Sequence, residues 1–340
     1  MSHTIVTDLK SRYEQLKAEQ PSVRIRNAAE MLHVSEADLV ALNAGSTTTV
    51  LRPEFQEILK ELLPLGELMA LTRNDSVVHE RKGVYDNVSF QGPVGLAVNP
   101  DIDLRIFLMH WKFAFAVTEG ERHSIQFFDK SGTAVHKIYL TTESDAAAYH
   151  ALVDRYAAAE QSSELITEAY PDAPAELPDA DIDIAAFQES WKALKDTHEF
   201  FALTRTHKLT RTQALRLAPE GYVRSTDNGA ARKLLQLAAE QQVPIMVFVG
   251  NRGCIQIHSG TVSKLLETGP WFNVLDPMFN LHLNEQSIAG TYVVQKPSTD
   301  GMITSLEVFD ENGEMVVQFF GARKPGIPEL ESWRSIAAAL

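Results

Sequence analysis

Gly66 to Gly83 reads GELMALTRNDSVVHERKG and Val243 to Gly260 reads VPIMVFVGNRGCIQIHSG, and the fold follows from laying one on the other. Set end to end in this way, Met69 falls on Met246, Asn74 on Asn251 and Gly83 on Gly260. The same register carries Leu104-Arg105 onto Leu281-His282. Further on, Phe128-Asp129-Lys130-Ser131-Gly132 matches Phe309-Asp310-Glu311-Asn312-Gly313 four positions out of that register, and a four-residue insertion around Lys296 to Gly301 accounts for the difference. Identity is low at any one place, but a register kept over about 80 residues marks an internal duplication.

Both repeats open alike. His33 to Leu39 corresponds to Lys208 to Ala214, with Ser35 and Thr210 as expected helix N-caps, since their hydroxyls accept from unpaired amides of the first turn. A second amphipathic helix is expected at Phe55 to Leu59 and at Arg232 to Leu237. Short apolar or alternating runs follow, at Ile245–Val249, Cys254–His258, Gly290–Val294, Ile303–Phe309 and Met315–Phe319. Turn signals at Asn251-Arg252-Gly253 and Glu311-Asn312-Gly313 separate them. No helix-length segment lies between these strands, so they pair as antiparallel hairpins. The fold class is therefore α+β, a tandem duplication in which each half is helices followed by a large antiparallel β-sheet.

The segment from Glu160 to Asp183 holds eight acids, no Lys or Arg, and Pro171, Pro174 and Pro178. It repels itself and cannot propagate a helix, so it reads as an extended linker. The expected domains are an N-terminal repeat at 1–160, an acidic Pro-rich linker at 161–183 and a C-terminal repeat at 184–340.

Composition bounds the function. In 340 residues, 44% are hydrophobic and 22% charged, the balance of a globular chain. Lys+Arg 31 against Asp+Glu 45 leaves a net charge of −14, which opposes non-specific binding to nucleic acid or an anionic membrane. Cys254 is the single cysteine and excludes an intrachain disulfide. No apolar run approaches the roughly 20 residues that cross a bilayer. The polar opening MSHTIVTDLKSRYEQLK lacks a signal peptide's apolar core, so a soluble, reducing, cytoplasmic setting is expected.

The motifs of nucleotide and serine-hydrolase chemistry, GxxxxGK[ST], GxGxxG after a strand, GxSxG and HExxH, are missing. Gly250-Asn251-Arg252-Gly253 reads as a hairpin turn. Phe187 to Phe201 predicts one helix with apolar residues at 187, 191, 194 and 201, and His198 fills the gap in its buried stripe. There it is either a satisfied core histidine or an iron ligand, because a haem face also wants apolar and aromatic neighbours such as Phe200 and Phe201. Arg105, on a strand between apolar residues, either pairs with Asp103 or faces an anionic or polar ligand. Arg211, Lys296 and Arg323 stand at element ends, where solvated charges are common. Cys254 reads as a small buried hydrophobe.

Several strings resemble one family. Met246 to Gly260, Asn280-Leu281-His282-Leu283, Lys296 to Gly301 with Thr304-Ser305-Leu306-Glu307, Ser124 to Asp129, and the Trp191…His198-Glu199-Phe200-Phe201 segment look like the bacterial hemin-degrading factors. These are cytoplasmic haem-utilisation proteins of the HemS/ChuS/HmuS type, themselves duplicated α+β proteins with an acidic linker. The similarity covers nearly the whole chain and is weakest from Met1 to Lys60.

The resemblance implies b-type haem, iron protoporphyrin IX, as both cofactor and substrate, bound between the C-terminal half's sheet and the N-terminal half. The family's axial histidine matches His198, its distal arginine Arg105 and an apolar neighbour Phe107. Polar residues around the haem and its propionates fall on Arg211, Lys296, Gln318 and Arg323, and Phe200 joins the pocket. His198 and Arg105 would be the catalytic pair. A second haem site proposed in some members lies near the residue matching His79. Two functions are implied: oxygenase-like ring opening that releases iron, or a non-enzymatic carrier delivering haem to a separate oxygenase. A third, blander reading is a duplicated domain that has lost haem binding. A haem importer or a downstream oxygenase or reductase would be the partners of a monomer or dimer, with no nucleic acid and no membrane insertion.

Overall fold

The computed structural model describes residues 2–324 and 326–340. The first repeat runs Ser2–Glu19 (α1), Ile25–Leu32 (α2), Glu36–Ala41 (α3), Thr48–Leu51 (β1), Phe55–Lys60 (α4), Gly66–Arg73 (β2), Val77–Val84 (β3), Val88–Gln91 (β4), Val94–Val98 (β5), Asp103–Phe107 (β6), Trp111–Glu119 (β7), Arg122–Asp129 (β8), Ala134–Ser144 (β9) and Ala146–Tyr156 (α5). The second runs Ile184–Lys192 (α6), Glu199–Thr206 (α7), Arg211–Arg216 (α8), Val223–Thr226 (β10), Ala230–Glu240 (α9), Ile245–Gly250 (β11), Cys254–Gly260 (β12), Leu265–Thr268 (β13), Trp271–Leu275 (β14), Phe279–Asn284 (β15), Gly290–Ser298 (β16), Gly301–Phe309 (β17), Met315–Gly321 (β18) and Glu331–Ala339 (α10).

This is the expected duplicated α+β fold. Both N-caps form: Ser35 Oγ accepts from Asp38 N at 3.1 Å, with the Asp38 carboxylate accepting in return from Ser35 N, and Thr210 Oγ1 accepts from Gln213 N at 3.1 Å. Among the described residues no helix is long and apolar enough to cross a membrane.

The chain forms two compact units. Unit 1 comprises Met1–Arg73, Glu80–Pro171 and Asn251–Gln256; unit 2 comprises Asn74–His79, Asp172–Gly250 and Ile257–Leu340. Each repeat thus lends a short segment to the unit built mainly from the other, and the two loans occupy matching positions of the repeat. Unit 1 carries strands in the orders β1-β7-β8-β9-β2-β3 and β12-β6-β5-β4. Unit 2 carries β10-β16-β17-β18-β11-β12 and β3-β15-β14-β13, each unit holding only its own part of β3 and β12.

Matching asparagines open the two lent segments. Asn251 Oδ1 accepts from Gly253 N and Cys254 N at 3.0 Å, while its Nδ2 donates to Arg73 O and Val135 O at 2.9 and 2.8 Å. Asn74 Oδ1 accepts from Ser76 N and Val77 N, and its Nδ2 donates to Val316 O at 2.8 Å. An amide side chain both closes the turn and satisfies carbonyls of neighbouring strands, which is why asparagine stands at both places.

The cores of the two units differ. In unit 1, Thr72, Tyr85, His136 and Cys254 are buried together: His136 Nδ1 lies 2.8 Å from Thr72 Oγ1, and Nε2 lies 2.8 Å from Tyr85 Oη. The same repeat positions in unit 2 are Val249, Val262, Val317 and Val77, all within one apolar core. Residues 158–178 contain no helix or strand. Two of their acids meet bases: Glu168 lies 3.7 Å from Lys130 in unit 1, and Glu176 meets Arg216 in unit 2, where Asp179, beyond this stretch, also pairs with it. The chain passes from unit 1 to unit 2 at Pro171.

Candidate functional site

The single helix expected over Phe187 to Phe201 is two. α6 stops at Lys192, α7 starts at Glu199, and His198 stands just before α7 instead of lying on a buried stripe. The turn between them shifts the helical phase by one residue. Phe200 enters the core against Trp191 (4.6 Å between centroids), and Phe201 is left 72% exposed.

Glu199 and Asp196 make that turn. Glu199 Oε2 accepts from Lys195 N and Asp196 N at 2.9 and 3.2 Å. Asp196 Oδ1 takes His198 N at 2.8 Å and His198 Nδ1 at 2.6 Å. The backbone amide of His198, followed by its side chain, overrides burial and holds the Asp196 carboxyl below its ordinary value. The His198 side chain is 89% exposed. It is neither a core residue nor satisfied by burial, which removes one of the two sequence alternatives.

The four-residue insertion supports this turn. In unit 1 the β7–β8 hairpin ends at the Glu119–Arg122 pair, whereas β16–β17 continues past the equivalent Lys296–Ile303 pair to Ser298–Gly301. The longer tip lets Thr299 N donate to Lys195 O at 2.9 Å, and Trp191 Nε1 donates to Gln295 O at 3.1 Å. Beside it Arg323 pairs with Asp300 at 3.1 Å.

Lys296 is not a solvated end-of-element charge. Its ammonium is buried, 2.5 Å from Glu307 Oε1 and 4.6 Å from the Phe200 ring. Arg211 grips both oxygens of Glu307 at 2.8 Å and keeps 30% of its side chain exposed. Burial alone would raise the Glu307 carboxyl, but Arg211 and then Lys296 hold it well below the usual carboxylate range. Burial, with Arg211 adding to it, draws the Lys296 ammonium down to about 8 despite Glu307. Lys296 and Glu307 thus face each other as an ion pair at neutral pH. Gln318 neighbours Glu307 across β17–β18. In this site Phe200 is a core residue that lids the cations, and its ring is buried.

Arg105 and Phe107 belong to unit 1, on β6. Arg105 pairs with Asp103 and stays one-third exposed. Across β5–β6, Val94 faces Phe107, Leu96 faces Arg105 and Val98 faces Asp103, and all three β5 side chains are exposed. An apolar strand face carrying one guanidinium results. Sequence reading missed Asp196, which lies two residues from the singled-out histidine. It also missed this face: VGLAV is apolar on both sides, so alternation does not tell which side is covered. His79 is fully buried in unit 2, 4.9 Å from the Phe279 ring, and leaves no face to a haem in this fold.

A haemin-degrading HemS/ChuX domain model matches residues 33–156 and again 208–340. The chain belongs to the haemin-degrading HemS/ChuX family. It is 39% identical to the hemin transport protein HmuS of Yersinia pestis, over 98% of this chain and 97% of that one. Among solved structures it is similar to holo-PhuS, a heme-binding protein from Pseudomonas aeruginosa (TM-score 0.96, 50% identity, 98% and 99% covered). It is also similar to ChuS, an E. coli heme oxygenase (TM-score 0.88, 35% identity, 98% and 99% covered). The double match of the HemS/ChuX domain coincides with the two repeats, and the family is one of haem binding and haem utilisation.

Proposed function

We propose that this protein binds haem through His198 in the cytoplasm and opens the porphyrin ring to release iron. One observation carries the reading: an exposed imidazole whose Nδ1 is held by Asp196, leaving Nε2 to ligate iron. These residues fit the group, because a haem needs one neutral imidazole presented from a fixed backbone.

Haem supplies the redox-active iron and is itself the substrate. The chain supplies placement and hydrogen bonds. His198 would hold the iron through Nε2, its Nδ1 being taken by Asp196. Arg105, always protonated, would not ligate but would donate hydrogen bonds to a polar or anionic group, with Asp103 fixing its fork. Val94, Leu96 and Val98 with Phe107 offer an apolar surface that loses water under a porphyrin. Arg211 and Arg323, each still partly exposed, would offer hydrogen bonds to the propionates. Gln318 adds a neutral polar contact, and Lys296 acts indirectly by pinning Glu307.

A carrier reading stands beside the enzymatic one, favoured by the higher identity to PhuS, a heme-binding protein, than to ChuS, a heme oxygenase. A hemin titration followed at the Soret band, on wild type and His198→Ala, tests the shared premise. A saturable, near one-to-one band that weakens or moves in the variant is expected; an identical band in both removes His198 as ligand. Reductant in air with catalase present then separates the readings. Soret loss with iron release supports ring opening, whereas a stable ferrous spectrum supports the carrier.

A further inference from the structure

The geometry points to Asp196 as the positioning residue of the axial histidine: it fixes the His198 tautomer, aims Nε2 outward and makes the imidazole a stronger donor. This rests on the reading of His198 as iron ligand. One carboxylate oxygen, Asp196 Oδ1, accepts both the backbone N–H of His198 (2.8 Å) and its ring Nδ1–H (2.6 Å). The two bonds close on the same side chain, so the ring is tied to the backbone that carries it. With Nδ1 bearing the proton, Nε2 holds the lone pair that a metal requires. A carboxylate drawing on Nδ1–H raises electron density across the ring, which strengthens the bond to ferric iron over ferrous.

Asp196 is itself held on its backbone. Glu199 takes its amide N–H at 3.2 Å, and the preceding Lys195 carbonyl accepts Thr299 N–H from the lengthened hairpin at 2.9 Å. The insertion thus braces the residue that aims the histidine, although it belongs to a much later part of the chain. Nothing comparable is needed in unit 1, where the hairpin stops short.

The test compares Asp196→Asn and Asp196→Ala with wild type, loaded with hemin. Asp196 is more than half exposed, so both variants are expected to fold, checked by circular dichroism. Asp196→Ala removes both hydrogen bonds and is expected to weaken hemin binding about tenfold, the usual cost of losing such an outer partner. Asp196→Asn keeps an acceptor and restores most of the binding. It still lowers the iron–histidine stretching frequency of the ferrous form in resonance Raman and moves the ferric/ferrous midpoint potential to a more positive value. A merely structural role would leave the stretch and the potential of Asp196→Asn at wild-type values, and that result overturns the inference. His198→Ala run in parallel keeps the two claims apart. If it leaves the wild-type spectrum unchanged, the ligand assignment falls; if it alters the spectrum while the Asp196 variants do not, only the role of Asp196 falls.

Discussion

Thr72, Tyr85, His136 and Cys254 in unit 1 occupy the repeat positions that Val249, Val262, Val317 and Val77 occupy in unit 2, and both sets are buried. One frame therefore accepts a closed polar cluster in one copy and four valines in the other. The two solutions differ in how their members depend on one another. Each valine contributes its own burial. The polar set holds only as a whole, since His136 bridges two hydroxyls that have no route to water. Burial draws the His136 imidazole down to about 3, so it stays neutral, and pushes the Cys254 thiol up to about 12. Tyr85 is raised by burial as well.

Replacing His136 breaks the comparison most severely. His136→Val makes unit 1 resemble unit 2 at one position but strands Tyr85 Oη and leaves Thr72 Oγ1 only its weak contact with Cys254 Sγ, at about 1–3 kcal/mol each. With the lost volume, a drop of about 4 kcal/mol in urea-unfolding free energy is expected; a drop under about 1 kcal/mol would show that the four residues do not act as a unit. The same residue sets an acid limit. Folded His136 stays neutral to about pH 3, while the unfolded chain takes up the proton near 6.5. The unfolded state binds more protons in that window, so stability is lost as pH falls through it, by roughly 4–5 kcal/mol over the full span. Unfolding curves between pH 7 and 4 check this, and His136→Val is expected to lose that component of the slope.

The converse substitution has a smaller effect. Val317→Thr places one hydroxyl in the apolar core of unit 2 with no cluster to receive it, and about 2 kcal/mol of destabilisation is expected. Equal tolerance of Thr there would mean that unit 2 already offers a partner. Smallest is Cys254→Val. The sulfur lies 3.6 Å from Thr72 Oγ1 and 4.0 Å from His136 Nδ1, both weak contacts, and valine adds roughly one methyl group to a buried site. A loss of about 1 kcal/mol is expected; a loss above about 2 kcal/mol would make the thiol a full member of the cluster.

The parts of the fold that repeat were legible. The register between the copies, the asparagine turns, the helix caps and the hairpins all depend on short-range chemistry that recurs in both. The insertion was visible, but not what it supports, because Thr299 and Lys195 lie far apart in the chain. His198 was singled out for the wrong reason. The apolar spacing 187, 191, 194, 201 mimics one helix, and only the carboxylates of Asp196 and Glu199 capping amides in the intervening turn show that the phase resets. Lys296 looked like a surface charge because its neighbours come from elsewhere, Glu307 from the next strand and Phe200 from a helix much earlier in the sequence. The exchanged segments were not legible either, since a swap between matching repeats leaves every local pattern intact.

That exchange has a consequence for the order in which the chain is made. The pairing of β6 with β12 joins Ile106 to Cys254, from opposite repeats, and lies within unit 1. A ribosome delivering this chain from its N-terminus has emitted most of unit 1 by Pro171, yet Asn251–Gln256 is still to come. Until that segment emerges β6 waits as an open edge, the state most prone to wrong pairing. Unit 2 waits for no such return, because the segment lent to it, Asn74–His79, has left the ribosome first. Translation therefore completes the earlier-encoded unit only when the later one is well under way, and slow elongation between Pro171 and Gln256 prolongs the interval in which that edge stays open.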